Sequence, residues 1–202
     1  MSWFSKKLGG KINRNNGNRA VIFLAWGDDF IEKVVFCLEN SEPLTQYDVL
    51  LFTDSYTNVE RCKHLFKKVI RVPFTFSGLL RKTEIFSYLP QTYNTYLFLD
   101  SDTRVIEDIS LGFVKADKYG IALSPAPHYS LDHFWGFDEI MTKEGVTCCG
   151  QLQYNTGVFF FNNSEIIQEL FNKWRALSKK YQKEFKNDQP FLTLAMELTG
   201  IN

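Results

Sequence analysis

TYLFLDSDTRVI (95–106) begins as an apolar, aromatic run and ends in two aspartates, Asp100 and Asp102, one residue apart. A short run of this kind with polar residues at its end reads as a buried strand whose tip reaches solvent. Near-extended backbone puts positions i and i+2 on the same side, so the two carboxylates can face together. Two hard oxygen donors suit Mg²⁺ or Mn²⁺ held partly by substrate phosphates. The same Asp-Ser-Asp also fits a turn closed by Asx side-chain hydrogen bonds.

Upstream, AVIFLAWG (20–27) and YDVLLFTD (47–54) repeat the pattern of an apolar strand ending in a polar residue. After the first, Asp28 and Asp29 offer a helix N-cap, with Glu32 placed as in a capping box. Phe30, Ile31, Val34, Val35 and Leu38 then recur at helical spacing. NVERCKHLFKK (58–68) is a candidate helix and VIRVPF (69–74) a peripheral strand, since Pro73 cannot donate to a ladder. SGLLRKTEIFSYLP (77–90) reads as a helix stopped by Pro90.

Downstream, GIALSP (120–125) and YNTGVFFFN (154–162) are strands, and the segment 164–181 shows one apolar helical face. Strands alternating with helices predict an α/β layered domain with a mainly parallel sheet, whose ligands sit at the carboxyl ends of the strands. On that edge four strand ends carry polar groups: Gly27 with Asp28, Thr53 with Asp54, Asp100 with Asp102, and Asn155 with Thr156.

The bulk composition narrows the partners. Lys+Arg and Asp+Glu both total 23, so no net field draws the chain to nucleic acid or an anionic membrane. Residues 1–19 form a polar tail without the apolar stretch of a signal peptide, and no run of apolar residues is long enough for a membrane span. The expectation is a soluble cytoplasmic protein with a flexible tail (1–19) and a single domain (20–202). The four cysteines Cys37, Cys62, Cys148 and Cys149 contain no Cys-x-x-Cys pair and read as reduced thiols. The 19 phenylalanines are read as core filling rather than as stacking platforms.

LFLDSDTRV resembles the DXD signature of GT-A glycosyltransferases, in which an apolar strand delivers two aspartates to a metal and a nucleotide diphosphate. YNTGVFFFN is similar to the Asn-(Ser/Thr)-Gly strand of the family-8-like members, and NDQPFL (187–192) to their Asp-Gln segment beside the donor sugar. The resemblance spans roughly residues 20 to 198. It implies the GT-A (nucleotide-diphospho-sugar transferase) fold and transfer of a sugar, from a UDP-sugar by preference, to a hydroxyl acceptor such as a glycan, with Mn²⁺ or Mg²⁺ as cofactor.

By that resemblance Asp102 is the principal metal ligand, and Asp100 contacts ribose, metal or both, with Ser101 between them in the donor site. Ala25, Trp26 and Asp54 would line the nucleoside pocket, and Arg81 or Lys82 would meet the diphosphate or sugar. Asn155, Thr156, Gly157 and Gln189 would contact the transferred sugar. Asp188 would lie beneath the anomeric carbon, as an acceptor base or an electrostatic stabiliser. Read as structure alone, Arg81 and Lys82 would be a solvated helix face, Gly157 a strand bulge and Asp188 a helix cap.

His128, Asp132 and His133 in PAPHYSLDHFWGFDE (125–139) are candidates for a further metal ligand or an acceptor-side base. Many family-8-like members carry a late His followed by Lys-Pro-Trp, which this sequence lacks. Two readings stay open: a piece of a longer protein, or a metal shell completed by phosphates and water. A haloacid-dehalogenase-like phosphatase also uses Asp-x-Asp after an apolar strand. That family expects Thr or Val where Arg104 stands, on its first strand. A non-catalytic nucleotide-sugar or glycan-binding domain is the other alternative.

Overall fold

The structure, a computed structural model, describes residues 18–130, 136–147 and 152–201. Six strands form one sheet: β1 (Arg19–Leu24), β2 (Asp48–Thr53), β3 (Lys68–Arg71), β4 (Thr95–Leu99), β5 (Ile121–Ser130) and β6 (Leu152–Asn162). Their order is β3-β2-β1-β4-β6-β5. β3, β2, β1 and β4 run parallel, whereas β6 runs antiparallel to both β4 and β5.

The helices are α1 (Gly27–Glu39), α2 (Ser110–Tyr119), α3 (Phe137–Lys143), α4 (Glu165–Tyr181) and α5 (Gln189–Thr199), with a 3-10 segment over Gly78–Tyr88. Asp28 and Asp29 lie in the first turn of α1, whose N-cap is Trp26, so they favour the helix through its dipole rather than by capping.

β1, β2 and β4 are buried on both faces, which is why they read as continuous apolar runs instead of alternating ones. Ala20, Ile22, Leu50, Phe52, Tyr96, Phe98, Phe159 and Phe161 point to one side, into a core shared with the 3-10 segment, α3, α4 and α5. Val21, Phe23, Val49, Leu51, Leu97 and Leu99 point to the other, against α1 and Phe113 of α2. The aromatic content is spent largely here. Phe86 stacks on Phe171 at 3.8 Å between centroids, with Trp174 and Phe161 packed around them.

Two expected helices take other forms. Over 58–68 only Lys63–Leu65 is helical, as a single 3-10 turn. Val59, Cys62 and Phe66 are buried through successive bonds from Cys62 N–H to Val59, Leu65 N–H to Cys62 and Phe66 N–H to Lys63, each spanning three residues. Their spacing satisfies burial without an α-helix. The Gly78–Tyr88 segment buries Leu80 and the whole run from Lys82 to Phe86. It therefore has no broad solvated face, and Lys82 lies inside the molecule.

No helix among the described residues is long and apolar enough to cross a membrane. Phe171→Ala removes a ring 2% exposed and should lower unfolding free energy by about 3–5 kcal/mol in urea denaturation. Loss of less than about 1 kcal/mol would mean the aromatic cluster is not the core that holds α4 to the sheet.

Candidate active site at the carboxyl edge of the sheet

Asp100 is the first residue after β4, and its N–H donates to the Gly157 carbonyl at 2.7 Å. The pairing of Leu99 with Val158 sets this register. Because β6 is reversed, Asn155–Gly157 reaches the carboxyl edge from near the beginning of its strand. A Cβ on Gly157 would stand 2.7 Å from Asp100 Oδ2 and 3.2 Å from Asn155 Oδ1. A side chain there would push the Asp100 carboxylate out of its place against the neighbouring strand.

Lys82 closes this arrangement from beneath. Its side chain is 5% exposed, and Nζ lies 3.0 Å from Asp100 Oδ1 and 3.5 Å from Asp188 Oδ2. It also donates to the Thr156 carbonyl at 2.9 Å and sits 4.9 Å from the centre of the Phe98 ring. Burial alone would lower its pKa, but the carboxylates of Asp188 and Asp100 hold it above the usual lysine value. The ammonium is thus a fixed internal cation joining β4, β6 and the start of α5.

Asp188 is the N-cap residue of α5 but makes no capping hydrogen bond with its side chain. Its carboxylate is turned inward to Lys82, 3% exposed, and Oδ2 has no hydrogen-bond partner among the described residues. Its backbone carbonyl accepts from the Trp174 indole N–H at 2.9 Å, which fixes the entry to α5. Asp100 is more open, with 42% of its side chain exposed. Burial raises its pKa, Lys82 opposes this, and the negative charges of Asp188 and Asp102 add to the rise. The carboxyl therefore titrates above the ordinary aspartate value.

A second cluster lies beside the first, at the ends of β1 and β2. The Arg81 guanidinium stands 4.8 Å from the Trp26 ring and 5.1 Å from Phe74, and Nη1 reaches Asp54 Oδ2 at 3.4 Å. Asp54 Oδ1 accepts from Thr57 Oγ1 at 2.8 Å and from the N–H groups of Thr57 and Tyr56 at 2.9 and 3.1 Å. Burial would raise the Asp54 carboxyl, yet these bonds and Arg81 hold it below its usual range. Arg71 ties the same loop by donating to the carbonyls of Asp54 and Thr57 at 2.6 and 2.7 Å.

The other expected residues fall variously. Ala25 is fully buried, with its side chain in the core on the α1 side and its N–H bonded to the Phe52 carbonyl. Ser101 is buried, and Asp102 is exposed. Thr156 is buried, while Asn155 Oδ1 accepts from the N–H of Gly157 at 2.7 Å and of Val158 at 3.2 Å. Gln189 Nε2 donates to Gln153 at 3.2 Å. Asp132 and His133 lie outside the described residues, as does the His128 side chain.

Sequence reasoning missed Trp174, Phe74, Arg71 and Thr57, which position the site rather than carry an obvious reactive group. Only the aromatic before the Pro90-terminated segment and the Asx-type spacing of Asp54 to Thr57 offered a signal.

No group of three His, Cys, Asp or Glu side chains suited to a metal exists among the described residues. The donor chemistry nevertheless fits a hard cation. Asp100, Asp102 and Asp188 oppose a single ammonium, Lys82, and this negative surplus suits a divalent ion that takes the rest of its shell from phosphate and water.

No protein-family model matches the sequence, and no curated protein sequence matches it. Among solved structures, the chain is similar to the galactosyltransferase LgtC, crystallised with donor and acceptor sugar analogues. The TM-score is 0.61 at 14% identity, over 87% of this chain and 69% of LgtC. It is also similar to the glycosyltransferase GlyE of Streptococcus pneumoniae TIGR4, with TM-score 0.58 and 18% identity over 91% of this chain, but it spans only 44% of GlyE. Mouse xyloside xylosyltransferase 1 gives TM-score 0.56 at 14% identity, covering 89% of this chain and 82% of that one. At such identities the likeness is one of fold, and the fold is that of the GT-A glycosyltransferases.

Lys82→Met leaves Asp188 buried without its counter-charge and should cost on the order of 3 kcal/mol in chemical denaturation. The exposed Asp102→Ala should change stability by less than about 0.5 kcal/mol. Equal effects of the two would contradict the internal bridge.

Proposed function

We propose that residues 20–202 form the catalytic domain of a metal-dependent glycosyltransferase, which moves a sugar from a nucleoside-diphosphate donor, UDP-sugar by preference, to a hydroxyl of a glycan. The observation that carries this reading is the Lys82 bridge, which brings the Asp100 and Asp188 carboxylates together beside Gly157 on the same edge as the Trp26–Arg81–Asp54 cluster. The GT-A fold supports it, since the neighbouring structures are of sugar transferases.

In this reading the nucleoside lies against Trp26 and Arg81, with Asp54 as the acceptor for a donor N–H or hydroxyl. Asp102, which makes no hydrogen bond or ion pair among the described residues, and the open side of Asp100 would hold Mn²⁺ or Mg²⁺. Bound there, the ion supplies Lewis-acid stabilisation of charge on the departing diphosphate. Asn155, Thr156, Gly157 and Gln189 border the transferred sugar.

The bond from the anomeric carbon to the β-phosphate oxygen breaks, and its electron pair leaves with the nucleoside diphosphate. The acceptor oxygen bonds to the anomeric carbon, and its proton passes to the leaving phosphate. Asp188 is too deeply buried to receive that proton from an incoming hydroxyl. Its role is electrostatic: a carboxylate that favours the oxocarbenium-like state, held in place by the Lys82 ammonium 3.5 Å away. The two free, buried thiols Cys37 and Cys62 accord with a reducing, cytoplasmic setting.

The test is release of nucleoside diphosphate from UDP- and GDP-sugars in the presence of Mn²⁺, with neutral glycans as acceptors. The wild type should turn over a UDP-sugar. Asp188→Asn should lower kcat on the order of 100-fold while leaving KM for the donor within about threefold. Absence of any metal-stimulated release in the wild type, or an Asp188→Asn variant as fast as wild type, would contradict the reading.

A further inference from the structure

Glu84 follows Arg81 by one turn of the 3-10 segment and is 2% exposed. A carboxylate taken out of water is tolerated only where hydrogen bonds replace its hydration. Here both of its oxygens are used. The Thr75 N–H donates to Oε1 at 3.0 Å and to Oε2 at 3.1 Å, the Thr75 hydroxyl to Oε1 at 2.7 Å, and the Phe76 N–H to Oε2 at 2.9 Å. Arg175 of α4 stands 3.9 Å from Oε1 and is 42% exposed. The short bonds to Thr75 and Phe76, not this long ion pair, hold the carboxylate in place.

The backbone bound in this way joins β3 to the 3-10 segment, and it also surrounds Arg81. The Phe76 carbonyl accepts from Arg81 Nε at 3.3 Å, and the Phe74 ring lies 5.1 Å from the guanidinium carbon. On the other side stand the Trp26 ring at 4.8 Å and Asp54 Oδ2 at 3.4 Å from Nη1. A guanidinium is planar, and its stacking and its fork of N–H donors both depend on its orientation. In a 3-10 turn positions three apart lie on the same side, so Arg81 and Glu84 reach the same stretch of chain. Glu84 pins the loop against which Arg81 leans.

We propose that Glu84 is a positioning residue for donor binding. By holding the backbone of Thr75 and Phe76, it keeps Phe74 and the Phe76 carbonyl against Arg81, so the guanidinium meets a nucleoside diphosphate already oriented. This rests on the reading of the Trp26–Arg81–Asp54 cluster as the nucleoside site; Glu84 acts only through Arg81. Its contribution is preorganisation, which raises affinity by removing the cost of ordering the side chain on binding.

The test is a double-mutant cycle on nucleotide binding, with UDP and GDP titrated calorimetrically into the full chain in the presence of Mn²⁺. Glu84→Gln keeps the shape but turns an amide NH2 toward an N–H or hydroxyl donor, so part of the loop contact is lost. Affinity should fall about tenfold in the wild-type background and by less than about twofold in Arg81→Met, where no guanidinium remains to be positioned. Thr75→Val deletes only the hydroxyl donor and should show the same pattern at about threefold, which completes the cycle even if Glu84→Gln does not fold. In the ligand-free protein the Arg81 Nε–H resonance should shift in both variants, whereas Arg175→Met should leave resonance and affinity unchanged. An unchanged affinity in Glu84→Gln and Thr75→Val, a loss of the same size in the Arg81→Met background, an unshifted Arg81 Nε–H, or an equal effect of Arg175→Met would overturn the proposal. Failure of the wild type itself to bind either nucleotide would overturn the donor-site reading, and this proposal with it.

Discussion

A single buried ammonium organises the carboxyl edge of this sheet. Lys82 is in reach of a carboxylate at the end of β4, a carbonyl of β6 and a carboxylate at the first turn of α5, three elements far apart in sequence. An unpaired charge in such a place would be expelled or neutralised, so the lysine is retained only while its partners stand where they do. The constraint works in both directions. Asp188 is kept inward, away from the helix cap it could otherwise form, and Asp100 is drawn against Gly157 into a space that a side chain would fill.

From that bridge the rest of the edge follows. Reversal of β6 brings main-chain carbonyls and the Asn155 turn to the same rim as the ends of the parallel strands. The adjacent cluster has its own internal logic, in which Arg81 is held between two aromatic rings and Asp54 is committed to the loop that ends at Thr57. One region is rich in carboxylate and the other offers aromatic and guanidinium surface.

The strands and the polar groups at their ends are legible in the sequence because they depend on local pattern. A doubly buried strand reads as an apolar run, and a polar residue at its end is visible at once. Strand direction is not written there: YNTGVFFFN reads the same whether parallel or antiparallel, so the reversal of β6 is visible only in the fold. The site depends on register, Asp100 beside Gly157, which arises only from the pairing of β4 with β6.

For Lys82 the sequence leaves two readings, a contact to the donor or a solvated helix face, because lysine's charge ordinarily favours water. Its burial follows from Asp188, over a hundred positions away, and no local pattern signals that partnership. Ala25 went the other way: adjacent to Trp26 in sequence, it alternates to the core face and gives its side chain to packing. α2 and α3 lacked strong apolar periodicity and were missed. The account's central claim is that Asp102 and Asp100 together hold a cation against a nucleotide diphosphate. Calorimetric titration of UDP and GDP with and without Mn²⁺, on wild type and Asp102→Ala, tests it most directly. The account predicts manganese-dependent UDP binding that Asp102→Ala abolishes; binding of neither nucleotide, or binding indifferent to manganese and to Asp102, would contradict it.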